Sequence, residues 1–195
     1  MQKEYYNWHS DNLNRDVEVA SYGHFGTNVL LFSANTPNNR EIEENGFLDS
    51  VEKNIRTGRY RIFAVSNLMD ECWYDYSKRS FDRSKRHFEF NQFIEDELIN
   101  RIFTECGGPV PILTAGAGYG GYMAANVFLR RPDIFIGTIA LSATFNIEHY
   151  SKDYFDENCY FNSPLHYMPN LNDTYWISHL MTRKHIYLAS GSGEN

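Results

Sequence analysis

The stretch LTAGAGYGGYMAANVFLRRPDIF, Leu113–Phe135, decides the fold of this 195-residue chain. Gly116, Gly118 and Gly121 fit the spacing G-x-G-x-x-G of dinucleotide-binding turns. Gly116, Gly118 and Gly120 also fit G-x-S-x-G, the strand-to-helix turn that carries the nucleophile of many hydrolases, with glycine in place of serine. Both patterns predict a turn between a strand and a helix, but they imply different functions.

The surrounding sequence favours the hydrolase turn. A dinucleotide fingerprint belongs to the first strand and helix of its fold, whereas three predicted strands precede this one. A bound ribose also needs an acidic residue about 20 positions later, and the segment there reads IALSATFN, without an acid. An apolar strand, a turn of small residues and a helix stopped by Pro132 match the context of a nucleophile turn. We therefore expect no cofactor.

Six apolar runs predict strands, and they alternate with helical patterns as in a parallel sheet covered on both faces. The predicted strands cover residues 17–23, 28–34, 61–67, 111–117, 137–143 and 184–190. The predicted helices cover residues 41–57, 83–105, 120–130 and 174–182. The HFGT segment between the first two strands predicts an antiparallel hairpin. The aromatic segment from about residue 146 to 173 is expected to form an excursion above the sheet.

Length and composition predict one domain spanning residues 1–195, since 42% of the residues are apolar. The net charge of −7 provides no basic patch for nucleic acid. The N-terminus lacks the apolar core of a signal peptide, and no stretch approaches the roughly 18 apolar residues of a membrane span. We expect a cytoplasmic protein with neither nucleic acid nor membrane as a partner.

The metal-ligand residue types lack the spacing of a metal site. Cys72, Cys106 and Cys159 are odd in number and widely separated, which predicts reduced thiols rather than disulfides or a zinc cluster. The seven histidines show neither H-x-x-x-H nor H-E-x-x-H spacing. We therefore expect no metal, and His87 is predicted to be a structural histidine within a helix.

At the motif level the chain resembles the esterase-D-like esterases of the α/β-hydrolase superfamily. Their turn and following helix are similar to T-G-x-S-x-G-A-Y-x-A-x-N and R-x-P-D-x-F. The positions that match are Gly116, Gly120, Tyr122, Ala124, Asn126, Arg130 or Arg131, Pro132, Asp133 and Phe135. The resemblance implies a three-layer α/β/α sandwich with the α/β-hydrolase fold, C-terminally truncated relative to the family.

The resemblance also implies that the catalytic machinery is damaged. The family's nucleophile serine falls on Gly118, which has no oxygen to attack an acyl carbon. The oxyanion hole would use the N–H of Tyr119 and a loop similar to F-P-x-S-G-G, where this sequence has Thr36 and Pro37. Proline has no N–H to donate, and losing one such donor costs about 2.7–4 kcal/mol of transition-state stabilisation.

A third expected loss is the catalytic histidine, since the family's H-D-W segment lies beyond the final residues ASGSGEN. Glu194 is a candidate acid, but it has no base to orient. Ser66 and Ser142 follow predicted strands and are interpreted as structural residues. Glycine also fits a strained nucleophile position without the strain that serine would bear there.

The predicted function is therefore that of a catalytically inactive, esterase-like protein with a binding, structural or assembly role. Its candidate partners are another protein, a second copy of the chain, or a small acyl or aromatic ligand in an aromatic-lined cleft above Gly118. The alternative is a serine carboxylesterase of the same family that has been inactivated by substitution at Gly118 or by truncation.

Overall fold

The computed structural model describes residues 1–34, 36 and 38–191. Within these residues, seven strands form one sheet in the order β1-β2-β4-β3-β5-β6-β7. The strands are β1 (Lys3–Ser10), β2 (Arg15–Tyr22), β3 (Thr27–Phe32), β4 (Tyr60–Val65), β5 (Ile112–Ala117), β6 (Phe135–Leu141) and β7 (His185–Ala189). The pairs β1–β2 and β2–β4 are antiparallel, and every other pair is parallel.

Helices connect the parallel strands, as expected for crossovers within one sheet. The helices are α1 (Glu41–Glu44), α2 (Phe47–Arg56), α3 (Ser80–Gln92), α4 (Ile99–Glu105), α5 (Gly118–Arg130), α6 (Glu148–Ser151), α7 (Glu157–Phe161), α8 (Pro164–Tyr167) and α9 (Thr174–Thr182). A π-helical segment, Phe93–Leu98, joins α3 to α4, and single 3₁₀ turns cover Met69–Glu71 and Met168–Asn170.

Alternating side chains of the strands divide the core into two parts, one on each face of the sheet. On one face Leu30, Phe63 and Val65 pack with the apolar stripes of α3, the π-helical segment, α4 and α5. On the other face Leu31 and Ile62 pack with residues of α1 and α2. The layered α/β architecture predicted from the sequence is confirmed.

The second face is covered over only part of its width. Helices α1 and α2 pack over β2, β3 and β4, and an apolar groove of about 500 Å³ lies beside them, bordered by β3, β4, β5, β6 and Tyr187 of β7. Its lining includes Val29, Leu31, Ile42, Phe47, Leu113, Ala115, Ile139, Leu141 and Tyr187. Among the described residues, the third layer therefore covers the β2–β4–β3 part of this face and leaves the groove open beside it.

The predicted hairpin between residues 17–23 and 28–34 is wrong. Strand β4 lies between β2 and β3 and pairs with both of them. The antiparallel hairpin is formed instead by β1 and β2, in register from Lys3 opposite Tyr22 to Ser10 opposite Arg15. The turn between them includes Asn14 at a φ of +48°, a conformation that asparagine tolerates.

Strand β1 was missed because its residues alternate irregularly between aromatic and polar types. It stays in place because Trp8 and Ser10 donate hydrogen bonds to Glu97 of the π-helical segment, at 3.0 and 2.9 Å. The predicted helix over 41–57 is divided by Gly46 at a φ of +76°. The helix over 174–182 is confirmed with the same bounds.

The aromatic segment from residue 146 to 173 contains short helices and is anchored by Asn162. This fully buried side chain accepts hydrogen bonds through Oδ1 from the amides of Asn91 and Asn126, at 2.6 and 2.9 Å. The Tyr122 hydroxyl donates to the Asn162 carbonyl. Three contacts thus fasten the excursion to α3 and α5, since buried polar groups need partners.

Candidate functional site

Strand β5 passes directly into helix α5, with no linking residue between Ala117 and Gly118. Ala117 is extended, with φ −126° and ψ 155°, and Gly118 has a φ of +54°. This left-handed backbone reverses the chain from strand to helix within one residue. Glycine adopts it without the steric penalty that a Cβ would meet.

The glycines on either side of Gly118 are required by close packing. A Cβ on Gly116 would lie 2.3 Å from the backbone of Gly120. A Cβ on Gly120 would lie 2.3 Å from the carbonyl oxygen of Ser33, at the end of β3. The G-x-x-x-G frame of the turn therefore holds α5 tightly against β5 and β3, as the sequence pattern predicts.

The chain that leaves β3 lies beside this turn, and its N–H groups are engaged. Ser33 N–H donates to the Val65 carbonyl at 3.0 Å. Ala34 N–H donates to Oε2 of the Glu41 carboxylate at 2.8 Å. Thr36, predicted to lie in the oxyanion loop, is exposed. Pro37, predicted beside it, lies outside the described residues.

Tyr119, the residue after the turn, sends its side chain into an aromatic cluster rather than to the surface. Its ring centroid lies 5.1 Å from that of Tyr150 and 5.5 Å from that of Tyr122. Burial raises the pKa of the Tyr119 hydroxyl well above its usual value. The hydroxyl is buried with no hydrogen-bond partner among the described residues.

His87 belongs to the same cluster and is fully buried. The Trp73 indole N–H donates to its Nδ1 at 3.0 Å, and since Trp can only donate, the proton of the neutral ring lies on Nε2. Burial lowers the pKa of His87 to about 3. Nε2 has no partner among the described residues. His87 lies within helix α3, as predicted, but only one of its ring nitrogens is hydrogen-bonded to a described residue.

The two serines considered as nucleophiles follow strands β4 and β6. Ser142 has a φ of +50°, and its N–H donates to the Ala189 carbonyl at 2.7 Å, which joins the ends of β6 and β7. Ser66 lines a polar cavity of about 240 Å³ together with Arg15 and Glu18. This cavity lies toward the β1 end of the sheet, away from β7. Glu194, the candidate acid, lies outside the described residues.

The cysteines and histidines form no candidate metal site in the part of the chain that the structure describes. Cys72, Cys106 and Cys159 are free thiols, and burial raises the pKa of each. None of the described helices is long and apolar enough to cross a membrane.

The apolar groove was not predicted from the sequence. It lies on the face of β5 opposite to the aromatic cluster, and Gly116 and Ala117 line one end of it, while Gly118 is not among its lining residues. The groove therefore does not correspond to the cleft expected above Gly118, which stays a prediction. The sequence shows β5 and β6 as apolar runs, but such a run does not tell which helices cover each face of the strand.

Comparisons with solved structures identify the fold. The chain is similar to a fluorophosphonate-binding serine hydrolase, FphF, from Staphylococcus aureus, with a TM-score of 0.56 and 12% identity over 97% of this chain and 91% of that one. It is also similar to a ferulic acid esterase, with a TM-score of 0.64 and 17% identity over 93% and 76% of the two chains.

A third similar structure is an S-formylglutathione hydrolase from Agrobacterium tumefaciens, with a TM-score of 0.64 and 10% identity over 97% and 85% of the chains. The chain therefore has an α/β-hydrolase fold. At these identities the likeness shows the fold alone. No protein-family model matches the sequence, and a search of the curated proteins finds no match.

Proposed function

We propose that this protein is a catalytically inactive, esterase-like α/β-hydrolase that uses the fold for binding or assembly. The observation that carries the proposal is Gly118 at the β5–α5 turn, the vestigial nucleophile position. A covalent acyl intermediate needs a hydroxyl or thiol at that point, and glycine supplies neither. The left-handed φ of +54° is the conformation in which glycine is free of strain.

The surroundings of the turn support the same proposal. An oxyanion hole needs two N–H groups aimed at one developing charge, for which Tyr119 and the loop with Thr36 and Pro37 are the vestigial positions. The Ala34 N–H beside the turn already donates to the Glu41 carboxylate. A carboxylate held there would repel a developing oxyanion, because like charges at short range are unfavourable.

His87 supports the proposal as well, since it packs against Tyr119 yet is unsuited to the role of a general base. A base works best with a pKa near the operating pH, and burial holds the pKa of His87 at about 3. Its Nδ1 is already used by the Trp73 indole. The aromatic cluster therefore serves to pack the side chain of Tyr119, which follows the turn.

For the binding role, we propose a small acyl or aromatic ligand, placed in the apolar groove rather than in the cleft expected above Gly118. The groove combines apolar side chains with a polar end formed by Glu41 and Asn45. Ligand pockets commonly pair apolar walls with a few polar groups that orient the ligand.

The alternative is a serine carboxylesterase of the same family whose serine has been replaced at position 118 or whose further catalytic residues are absent from this chain. The intact packing of Gly116 and Gly120 favours this alternative, since the frame that presents a nucleophile is kept. It predicts that serine at position 118 restores hydrolysis.

Hydrolysis of p-nitrophenyl acetate by the natural chain and by Gly118→Ser distinguishes the two functions. Gly118→Ala is the matched control, because it places a Cβ at the same left-handed backbone position but adds no hydroxyl. We expect all three proteins to hydrolyse the ester at the background rate, with circular dichroism confirming that each is folded. Saturable turnover by Gly118→Ser alone would establish the esterase alternative. Labelling of the natural chain by a fluorophosphonate probe would also refute the proposal.

A further inference from the structure

A further cavity lies at the opposite end of helix α5 from Gly118. It has a volume of about 370 Å³ and is formed where the C-terminal end of α5 meets the π-helical segment, α7, the turn after α8, and α9. Helix α5 runs from Gly118 to Arg130, so its two ends lie about 18 Å apart at 1.5 Å per residue. Among the described residues, the cavity shares no lining residue with the apolar groove. It is therefore a separate site, with a volume in the range of about 300–1,000 Å³ that is usual for small ligands.

Aromatic side chains form much of the wall of this cavity. Tyr160, Phe161, Tyr167 and Trp176 all line it. The rings of Tyr160 and Phe161 meet edge to face, with centroids 5.1 Å apart, and Phe161 is 46% exposed. Accessible aromatic rings provide flat apolar surface for a ligand, and tryptophan adds an N–H donor. The wall therefore suits a ligand that has an apolar face.

Buried hydrogen bonds hold the wall in place. The Tyr167 hydroxyl donates to Oδ1 of Asn126 at 3.1 Å, and the Asn126 amide donates to Asn162 at 2.9 Å. Asn126 and Asn162 are fully buried. Arg130 Nη1 donates to the Phe161 carbonyl at 3.1 Å. A wall that is already ordered loses little conformational entropy when a ligand binds.

The charged groups of the cavity neutralise one another. Arg130 Nε donates to one oxygen of the Glu95 carboxylate at 3.2 Å, and Arg131 Nη1 lies 3.5 Å from the other oxygen. Arg131 also donates two hydrogen bonds of 2.9 Å to Asp133. Two arginines thus lie against two carboxylates, which leaves no net charge among these groups. Because charge complementarity selects partners, this arrangement favours a neutral ligand over an ion.

The remaining polar groups include both donors and acceptors. Asn170 and Asn172 line the cavity and are exposed. The Asn170 amide nitrogen donates to the His166 carbonyl at 2.8 Å, which orients the side chain and leaves its oxygen as an acceptor. The Asn172 amide provides a donor and an acceptor, and the Trp176 indole provides a donor. Several hydroxyl groups on one ligand would match this mixture, because each hydroxyl can donate and accept.

We propose that this cavity binds a neutral pyranose sugar. A pyranose ring has faces of C–H groups that pack on aromatic rings, and it carries hydroxyl groups around its edge. It has no charge, in agreement with the paired arginines and carboxylates. A flat aromatic molecule would also pack against the rings, but it would not use the amide and indole groups beside them.

The inference goes beyond the proposed function, since it depends on neither Gly118 nor the apolar groove. Restored hydrolysis in Gly118→Ser would overturn the proposed loss of catalysis without affecting sugar binding. Absence of sugar binding would overturn this inference without affecting the proposal about catalysis.

Saturation-transfer NMR of the natural chain tests the inference with cellobiose, maltose, xylobiose and lactose at millimolar concentrations. Irradiation of the aromatic protons of the protein should transfer saturation chiefly to the C–H protons on one face of a sugar ring. Phenol and benzoate are the aromatic and anionic probes, and we expect neither to displace the bound saccharide at equal concentration. Absence of transfer to all four saccharides, or displacement by phenol or benzoate, would overturn the inference.

Variants of the aromatic wall locate the site. Trp176→Ala removes a ring and an N–H donor, so it should raise the dissociation constant of the bound saccharide by about two- to tenfold. Phe161→Ala should weaken binding in the same way, and it serves if circular dichroism shows that Trp176→Ala is unfolded. Phe81→Ala is the matched control, because Phe81 is a 52% exposed aromatic residue on α3 that does not line the cavity. Unchanged binding in both wall variants, or an equal loss in Phe81→Ala, would contradict the proposed site.

Discussion

Because the backbone of Gly118 is left-handed, replacing this glycine should lower the free energy of unfolding by a measurable amount. Gly118→Ala places a Cβ at a φ of +54°, a conformation that costs an L-residue roughly 1–2 kcal/mol. The reduced freedom of the unfolded chain offsets only part of this cost, since alanine at positive φ remains destabilising. We expect the free energy of unfolding to fall by about 1–2 kcal/mol.

Thermal and urea unfolding measure this change. For a chain of this size, a loss of 1 kcal/mol lowers Tm by about 2–4 °C, so the expected fall is about 2–8 °C. Gly118→Asn should lose less, because asparagine tolerates the left-handed region better than alanine does.

Two comparison variants separate backbone strain from steric overlap. Gly107 has a φ of +75°, and a Cβ added there would meet no atom within 4 Å, so Gly107→Ala isolates the backbone cost. Gly116→Ala adds a Cβ 2.3 Å from the Gly120 backbone, and overpacking of this kind costs about 1–3 kcal/mol or more. We expect Gly118→Ala to lose at least as much stability as Gly107→Ala, because both place a Cβ at a positive φ. A Gly118→Ala protein as stable as the natural chain, beside a destabilised Gly107→Ala, would refute the left-handed strain at residue 118.

Two further predictions concern buried polar groups. The pKa of His87 is lowered to about 3 in the folded chain from about 6.5 in the unfolded one, so its neutral burial stabilises the protein fully above pH 6.5 and less as the pH falls toward 3. The free energy of unfolding of His87→Gln, measured with urea, should therefore fall less between pH 6.5 and pH 3 than that of the natural chain, by up to about 1.4 kcal/mol per pH unit. Equal pH dependence of the two proteins would contradict the buried neutral ring. Asn162→Ala removes the acceptor of the Asn91 and Asn126 amides, which should cost about 2–6 kcal/mol at 1–3 kcal/mol per unsatisfied group; a loss below 1 kcal/mol would show that other acceptors replace it.

The turn at the centre of the site could be predicted because it depends on short-range chemistry. Gly116 and Gly120 are fixed by backbone contacts within the turn and with β3, and glycine spacing reports such contacts directly. The layered α/β class was equally accessible, because apolar runs alternate with helical periods along the chain. The turn depends on a few neighbouring residues, and the fold class depends on a pattern that each segment carries by itself.

The parts that could not be predicted depend on long-range pairing. Strand β4 lies between β2 and β3. This order depends on which distant strands pair with each other, and the residues next to each strand do not show it. The side chains that anchor β1 lie more than 80 positions from their acceptor Glu97. The uncovered groove depends on which face α1 and α2 occupy, and the Ala34–Glu41 contact depends on how the loop after β3 closes.

The direct junction of β5 and α5 also limits how this part of the chain can change in length. With no linking residue, one extra residue before Gly118 would turn the helix by about 100° about its axis, since each residue advances it by 1/3.6 of a turn. Residues 119–128 of α5 are all buried, so this rotation would misplace the contacts of the helix on every side. We therefore expect homologous chains to vary in residue type at this boundary while keeping the same number of residues across it.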